Sequence, residues 1–286
     1  MDRKAIAKES LEIMRQGYYR IESKENQMPV QTKIDIKQDM EQSIKDSILI
    51  TPSEGQELLK QYGERYSSLE NQSQLTIIVE NISTVDAIRK LVLEGKEKIG
   101  VLNFASAKNP GGGFLNGAKA QEESLAASST LYRTLIVHEE YYRENRKCNS
   151  MIYTNHAIYS PDVVFFRDGS FRLTEPVKAS VLTLPAVNMG QVIQKGEDVE
   201  AAKKAMKQRM KLALAIFANE GAKNLVLGAY GCGVFRNEPK DVAIWWKELL
   251  DTEMGKYFDL VFHAVLDYSR EKKCIGAFEE VFSLGR

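Results

Sequence analysis

The sequence predicts an α/β fold: a mostly parallel central sheet with helices on both faces. Three observations carry this. Residues 75–104 read as strand, helix, strand, and residues 179–187 form the continuous apolar run of a fully buried central strand. Two glycine-rich stretches, at 109–113 and 228–233, each follow a strand and precede a helix. In sheets of this kind ligands collect beyond the carboxyl ends of the strands, so both stretches and Asn188 are expected to meet in one crevice.

Taken in order, residues 3–17 form an accessory helix with Ile6, Ser10, Ile13 and Met14 on one face and Gly17 as its stop. Between Tyr18 and Tyr66 the pattern is weak: a strand at 32–36, an acidic and polar connection, a turn at Thr51-Pro-Ser, then a helix with Leu58, Leu59 and Tyr62 inward. Residues 75–80 are a strand. A helix follows at 84–93 with Thr84 as N-cap and Gly95 as stop, then a strand at 99–104. The next helix opens at Glu122, with Leu125, Ser128, Tyr132, Leu135 and Ile136 in helical period. Strands at 151–159 and 163–167 are separated at Ser160-Pro-Asp and end at the turn Asp168-Gly169. After the buried strand come a long helix at 197–219 closed by Gly221, a strand at 224–228, and a helix that Pro239 starts. A strand at 258–266 and a helix at 275–282 finish the chain.

With 286 residues, 43% hydrophobic and 27% charged, the chain has room for one large domain or two small ones. Lysine plus arginine equals aspartate plus glutamate, 39 each, so no global field recruits nucleic acid or an anionic membrane, and neither is an expected partner. Cys148, Cys232 and Cys274 are odd in number and widely spaced, which argues for a reducing compartment and against a disulfide framework. The charged start at Asp2 lacks the apolar core of a secretion signal, and no apolar run approaches the roughly 18 residues of a membrane span. A cytoplasmic location is expected.

The chemistry concentrates at residues 109–123. Gly111, Gly112 and Gly113 remove every side chain from a turn, so backbone N–H groups can approach an anion or a sugar closely. Seven residues later come Gln121, Glu122 and Glu123, at a helix start that favours both a carboxylate and an anionic ligand. Taken singly, three glycines are an ordinary loop and paired acids are dipole complements; their combination at short spacing is specific. His138, His156 and His263 lie apart from any ligand spacing, so no metal and no cofactor is expected. Cys232 in its glycine loop reads as a small side chain that lets phosphate approach, since no histidine lies near it in sequence to make it a nucleophile. Gly228-x-x-Gly-x-Gly has the wrong order for the dinucleotide fingerprint. The pairs Tyr18, Tyr19 and Trp245, Trp246 read as packing residues.

Asn109-Pro-Gly-Gly-Gly113 followed by Gln121-Glu122-Glu123 resembles the signature of bacterial-type poly(ADP-ribose) glycohydrolases. So do the flanking Leu102-Asn-Phe-Ala-Ser-Ala-Lys-Asn109 and Ser124-Leu-Ala-Ala-Ser-Ser-Thr-Leu-Tyr132, and downstream Tyr159-Ser-Pro-Asp-Val-Val-Phe-Phe-Arg-Asp168, Leu184-Pro-Ala-Val-Asn188 and residues 228–239. The resemblance runs from the first helix to about Pro239. It implies a macrodomain-like three-layer α/β/α fold with a mixed, mostly parallel sheet and an N-terminal helical extension. Residues 1–70 are then an accessory extension packed on a catalytic core at 71–286.

The same resemblance makes Glu123 the catalytic acid and Glu122 the carboxylate that grips ribose hydroxyls. Gln121 helps fix the loop; Asn103 and Gly111 to Gly113 surround the distal ribose; Gly231, Cys232, Gly233 and Val234 surround the diphosphate; Phe235 positions the distal ribose. Adenine-pocket residues stay unassigned. Cleavage of a ribose–ribose bond passes through an oxocarbenium-like transition state, so Glu123 must hand a proton to the leaving oxygen and needs a raised pKa, which Glu122 and burial would supply. The implied partners are poly(ADP-ribose) as substrate, ADP-ribose as product and, further, ADP-ribosylated proteins. Two rivals share the cradle: an ADP-ribose reader without turnover, and a hydrolase of single ADP-ribose or acyl adducts.

Overall fold

The structure, a computed structural model, describes residues 2–25, 28–64 and 75–283. The expected boundary near residue 70 lies outside the described residues. The elements are α1 (Arg3–Gln16), β1 (Tyr18–Glu25), β2 (Met28–Asp35), α2 (Lys37–Asp46), β3 (Ile48–Ile50), α3 (Pro52–Glu64), β4 (Thr76–Glu80), α4 (Thr84–Leu93), β5 (Ile99–Phe104), α5 (Gln121–Ser128), α6 (Leu131–Leu135) and α7 (Glu139–Lys147). The second half holds β6 (Ala157–Arg167), β7 (Leu173–Leu184), α8 (Met189–Gln194), α9 (Val199–Asn219), β8 (Asn224–Leu227), α10 (Pro239–Leu249), β9 (Leu260–Ala264) and α11 (Lys273–Ser283).

Seven strands form one sheet in the order β3-β6-β7-β5-β8-β9-β4. Neighbours from β7 to β4 pair in parallel, while β6 is antiparallel to both β7 and β3. The alternation of a strand assigns its residues to two layers. Val101 packs with α4 to α7 on one face, and Leu102 packs with α8 to α11 on the other. The result is the expected three-layer α/β/α arrangement with a mixed, mostly parallel sheet. Parallel strands bring the carboxyl ends of β5, β8, β9 and β4 to one edge, where the glycine stretches start. No helix among the described residues is long and apolar enough to cross a membrane.

The N-terminal part is richer than a helical extension. Besides α1 it holds the antiparallel hairpin β1–β2 and the edge strand β3, which completes the main sheet. Helix α1, capped by Gly17 at φ 77°, the strand expected at 32–36, which is the second half of β2, and the inward Leu58, Leu59 and Tyr62 of α3 follow the sequence pattern. Helix α4 starts as expected, but Ser83 is its N-cap, accepting from the Asp86 amide at 3.1 Å.

Three expectations fail for tertiary reasons. The helix from Glu122 breaks at Ser129, because Ser129 bridges to Phe165 and the Thr130 amide donates to the Val164 carbonyl at 3.0 Å. Residues 151–156 are not a strand. Their polar groups serve the buried guanidinium of Arg209, which donates to the carbonyls of Ile152, Tyr153 and Pro185 and to Asn155 Oδ1. The strands at 157–159 and 163–167 are one bent strand, with a bulge at Ser160 to Val163 that accommodates Pro161.

His263 of β9 is fully buried among Trp246, Phe278 and Phe282, and neither ring nitrogen has a hydrogen-bond partner. Burial pushes its pKa down to about 3. The unfolded chain binds a proton on this ring below about 6.5 while the native ring does not, so stability falls as pH drops from 6.5 toward 3. His263→Leu removes both orphaned nitrogens at similar volume. It is expected to stabilise by about 1–2 kcal/mol at neutral pH, more at pH 5, as read by thermal unfolding at the two pH values.

Candidate active site

Strand β5 occupies the middle of the sheet, and everything after Phe104 must turn away from its buried carboxyl end. The turn is made by glycines. Gly111 and Gly112 adopt φ values of 65° and 60°, in the left-handed region, and the Gly112 amide closes on the Asn109 carbonyl at 3.0 Å. A Cβ on Gly112 would collide with Glu123 Oε1 and come within 3.0 Å of Glu122 Oε2. Glycine is therefore needed twice, for the backbone conformation and for the approach of the two carboxylates. A 3₁₀ turn, Phe114–Asn116, then leads through Gly117 toward α5.

Gln121 joins α5 to the end of β5 by taking the place of a neighbouring strand. Its Oε1 accepts from the Phe104 amide at 2.9 Å and its Nε2 donates to the Leu102 carbonyl at 2.8 Å. The N-cap, Ala120, has no side-chain acceptor. Glu123, at the third helical position, reaches back instead: Oε2 accepts from the Ala120 amide at 3.0 Å and Oε1 from the Gly113 amide at 2.9 Å. Glu122 points the other way, into the protein. Its Oε2 accepts from the Ser106 amide at 2.7 Å and its Oε1 from Asn103 Nδ2 at 3.3 Å. Asn103 also donates to Thr183 Oγ1, which fixes its amide.

Glu122 is only 2% exposed and Glu123 9%. Burial is the largest influence on Glu122 and pushes its pKa up to about 8; the charge of Glu123 adds to this, while the Ser106, Asn103 and Gly111 donors oppose it. The buried tyrosine pair Tyr141 and Tyr142, with ring centroids 4.6 Å apart, lies within electrostatic reach beneath Glu122. The Glu122 carboxyl is thus held well above the usual carboxylate range by its burial.

The second glycine stretch starts at the end of β8, beside the first. Gly228 and Phe104 are in contact range, and the rings of Phe104 and Tyr230 lie 5.6 Å apart. Gly231 has φ 74°, and a Cβ there would meet Asn237 and Ala186. Asn237 ties the loop to the end of β7, donating to the Val187 carbonyl at 2.8 Å and the Gly231 carbonyl at 3.0 Å. The Gly190 amide donates to Phe235, whose ring faces Tyr153 at 6.1 Å. Asn188 caps α8 through the Gln191 amide. The segment of Asn188, the second glycine stretch and the end of β5, from which the first glycine stretch departs, meet. Gly233 and Val234 are exposed at the tip of the loop, whereas the Cys232 thiol turns inward and hydrogen-bonds the Cys274 thiol, which with burial holds it above the usual thiol range.

A further cavity, of about 410 Å³, opens beyond β4 and β9 and is lined by Asn81, Asp86, Ser170, Asp267 and Tyr268 among others. Asn81 and Asp267 bond reciprocally and fix its floor: Asn81 Nδ2 donates to the Asp267 carbonyl and the Asp267 amide to Asn81 Oδ1, both at 3.0 Å. These residues went unassigned in the sequence, although Asn81 stands one residue beyond a strand end, the position at which ligand contacts are expected. Among the described residues, no three His, Cys, Asp or Glu side chains are placed to share a metal ion.

Comparison with known proteins matches residues 7–168 to the family described as microbial-type PARG, catalytic domain. Among solved structures, the poly(ADP-ribose) glycohydrolase (PARG) from Thermomonospora curvata is 34% identical, with 98% of this chain and 99% of that one covered and a TM-score of 0.90. A structure of that enzyme bound to the inhibitor ADP-HPD matches with a TM-score of 0.86 at 34% identity, covering 97% and 98%. The PARG from Deinococcus radiodurans in complex with ADP-ribose is 39% identical over 86% of this chain and 98% of its own, with a TM-score of 0.80. No curated protein matches in sequence.

Glu122 supplies a test of the site's electrostatics. With a native pKa of about 8 against 4.5 for the free carboxyl, the native state holds its proton more tightly than the unfolded chain, so stability falls as pH rises from 4.5 through 8. Glu122→Gln removes that loss. Thermal unfolding is expected to show the variant gaining on the wild type between pH 5 and pH 9; parallel curves would mean that Glu122 ionises freely in the fold.

Proposed function

The chain belongs to the microbial-type poly(ADP-ribose) glycohydrolase family, and we propose that it cleaves ribose–ribose O-glycosidic bonds of poly(ADP-ribose), releasing ADP-ribose, with Glu123 as acid and then base. The observation that carries this is the buried Glu122–Glu123 pair at the start of α5, packed against Gly112. Glu123 is the member at the glycine turn, on the side from which a sugar can approach. Its carboxyl gives a proton to the bridging oxygen as the bond from that oxygen to the anomeric carbon breaks. The carboxylate then takes a proton from the water that attacks the anomeric carbon, which restores the acid. Glu122 and Asn103 hold the ribose hydroxyls.

The remaining assignments follow the cleft. Gly111 to Gly113 wall the distal ribose, with Gln121 holding their helix on β5. The amides of Gly231 to Val234 face the diphosphate and Phe235 the distal ribose. The cavity between Asn81 and Tyr268 has the size and mixed polar lining to take the nucleoside end. Residues 71–286 supply the named site residues, and 1–70 contribute a wall while completing the main sheet through β3. An odd number of cysteines, none in a disulfide, supports a cytoplasmic location.

Incubation with poly(ADP-ribose), with released ADP-ribose quantified, is the direct test. Glu123→Gln is expected to lower kcat by about 10²- to 10⁴-fold, the usual worth of a general acid. Equal rates in the variant and the wild type remove Glu123 from the role, and a silent wild type removes the activity. Ionisation of Glu122 beside the acid should produce an inflection in kcat/KM as pH rises through about 8, and Glu122→Gln should remove it.

A further inference from the structure

Another cavity, of about 480 Å³, opens between α7 and the residue that leads into the glycine turn, and the proposed reaction does not use it. Its walls are Pro110, Ile136 at the end of α6, and Glu139, Tyr142, Arg143 and Arg146 of α7. The four α7 residues are spaced i, i+3, i+4 and i+7, so a single face of that helix lines the cavity. Pro110, Ile136 and the Tyr142 ring make part of the wall apolar, while two guanidinium groups and one carboxylate make the rest polar.

Two of these side chains lack the partner their chemistry requires. The Tyr142 hydroxyl is buried, in a residue only 2% exposed, and has no hydrogen-bond partner. Leaving a buried hydroxyl unpaired is costly, and an acceptor in the cavity removes that cost. Arg143 pairs with Glu140 and Glu144, whereas Arg146 has no carboxylate partner among the described residues. Arg146 is nevertheless fixed: its Nε and Nη2 both donate to the Lys108 carbonyl, at 3.0 and 2.6 Å. It also lies within electrostatic reach of the Tyr142 hydroxyl. A fixed cation and an unpaired donor thus border one cavity, and an anionic oxygen satisfies both.

We propose that this cavity is a nucleotide site separate from the cleft, in which Arg146 and the Tyr142 hydroxyl take a phosphate while Pro110 and Ile136 take an adenine base. The volume lies in the range of small-molecule sites and leaves room for more than an inorganic ion. Glu139 and Arg146 stand seven residues apart, about 10 Å along the helix, so an acceptor for amino or hydroxyl groups lies at one end and a cation for phosphate at the other. The occupant is a free adenine nucleotide or a further unit of the polymer; only the second source rests on the glycohydrolase reading. Either one touches the seat of the acids. The Lys108 carbonyl that fixes Arg146 belongs to the turn in which the Lys108 and Asn109 amides donate to Ser106 Oγ and the Ser106 amide donates to Glu122.

Equilibrium dialysis against labelled ADP-ribose counts the sites directly. The wild type is expected to bind two equivalents per chain and Arg146→Gln one. Tyr142→Phe removes only the unpaired hydroxyl and so keeps the fold; it should weaken the weaker of the two binding events about tenfold, the worth of a hydrogen bond to a charged group, and leave the other unchanged. A single equivalent in the wild type, or two equivalents unaltered in both variants, overturns the site. Polymers of defined length, free of nucleotide, identify the source. If a further polymer unit fills the cavity, kcat/KM per chain end rises with length in the wild type and not in Arg146→Gln, through the effective concentration of a tethered ligand. A wild type that binds two equivalents yet is indifferent to length assigns the cavity to free nucleotide. Two equivalents bound by a wild type that cleaves no polymer overturn the glycohydrolase reading and uphold the site.

Discussion

Two adjacent carboxyl groups are buried at the start of one helix, and the local structure of the site answers that single constraint. Their direct hydrogen-bond donors are the amides of Ser106, Gly111, Gly113 and Ala120 and the side chain of Asn103; among the described residues no lysine or arginine bonds them. Moving an ionised carboxylate out of water costs several kcal/mol even after relaxation, so the donors must be many and fixed. Backbone amides meet that need only if the chain passes close by, and a side chain at residue 112 would prevent it. The glycine turn is thus as much a seat for the acids as a wall for the ligand. Burial still outweighs the donors at Glu122, which is why this carboxyl keeps a proton at neutral pH.

The framework that holds this seat is built from polar side chains acting as substitutes for backbone. Gln121 completes the hydrogen bonding of β5 where no strand continues. Asn237 performs the same service between the second glycine loop and the end of β7. Arg209 gathers the carbonyls of residues 152, 153 and 185 behind both. Each of these side chains is fixed by two or more bonds, so the loops at the carboxyl edge are held without needing strands of their own.

Such substitutes explain what could and could not be read from the chain. Strand β5, helix α9 and the Glu122 end of α5 announce themselves through periodicity, caps and stop glycines, which are local properties. The glycine turn and Gln121-Glu122-Glu123 are legible because their chemistry is contiguous. By contrast β3 is three residues long and exists only through its pairing with β6. Residues 151–156 are apolar and polar in a strand-like mixture, yet Arg209, more than fifty residues away, decides their path. The interruption at Ser129 is likewise imposed by β6, whose backbone claims Ser129 and Thr130. The polar cavity beyond β4 and β9 joins residues from three separate stretches, 81–86, 169–170 and 266–272, and no one of them is distinctive alone.

Helices α1 and α5 meet near Gly117 with opposite charge at their first turns, and the contrast bears on how the acids are tuned. Glu122 and Glu123 lie where the dipole of α5 favours negative charge, while burial favours the neutral form. These influences oppose each other, so the proton on the pair is held by a small difference between large terms. A charge arriving nearby can then alter the protonation state at little cost. A substrate diphosphate bound close by raises the proton affinity of Glu122 by repulsion, so the ligand itself favours the neutral carboxyl that burial already favours.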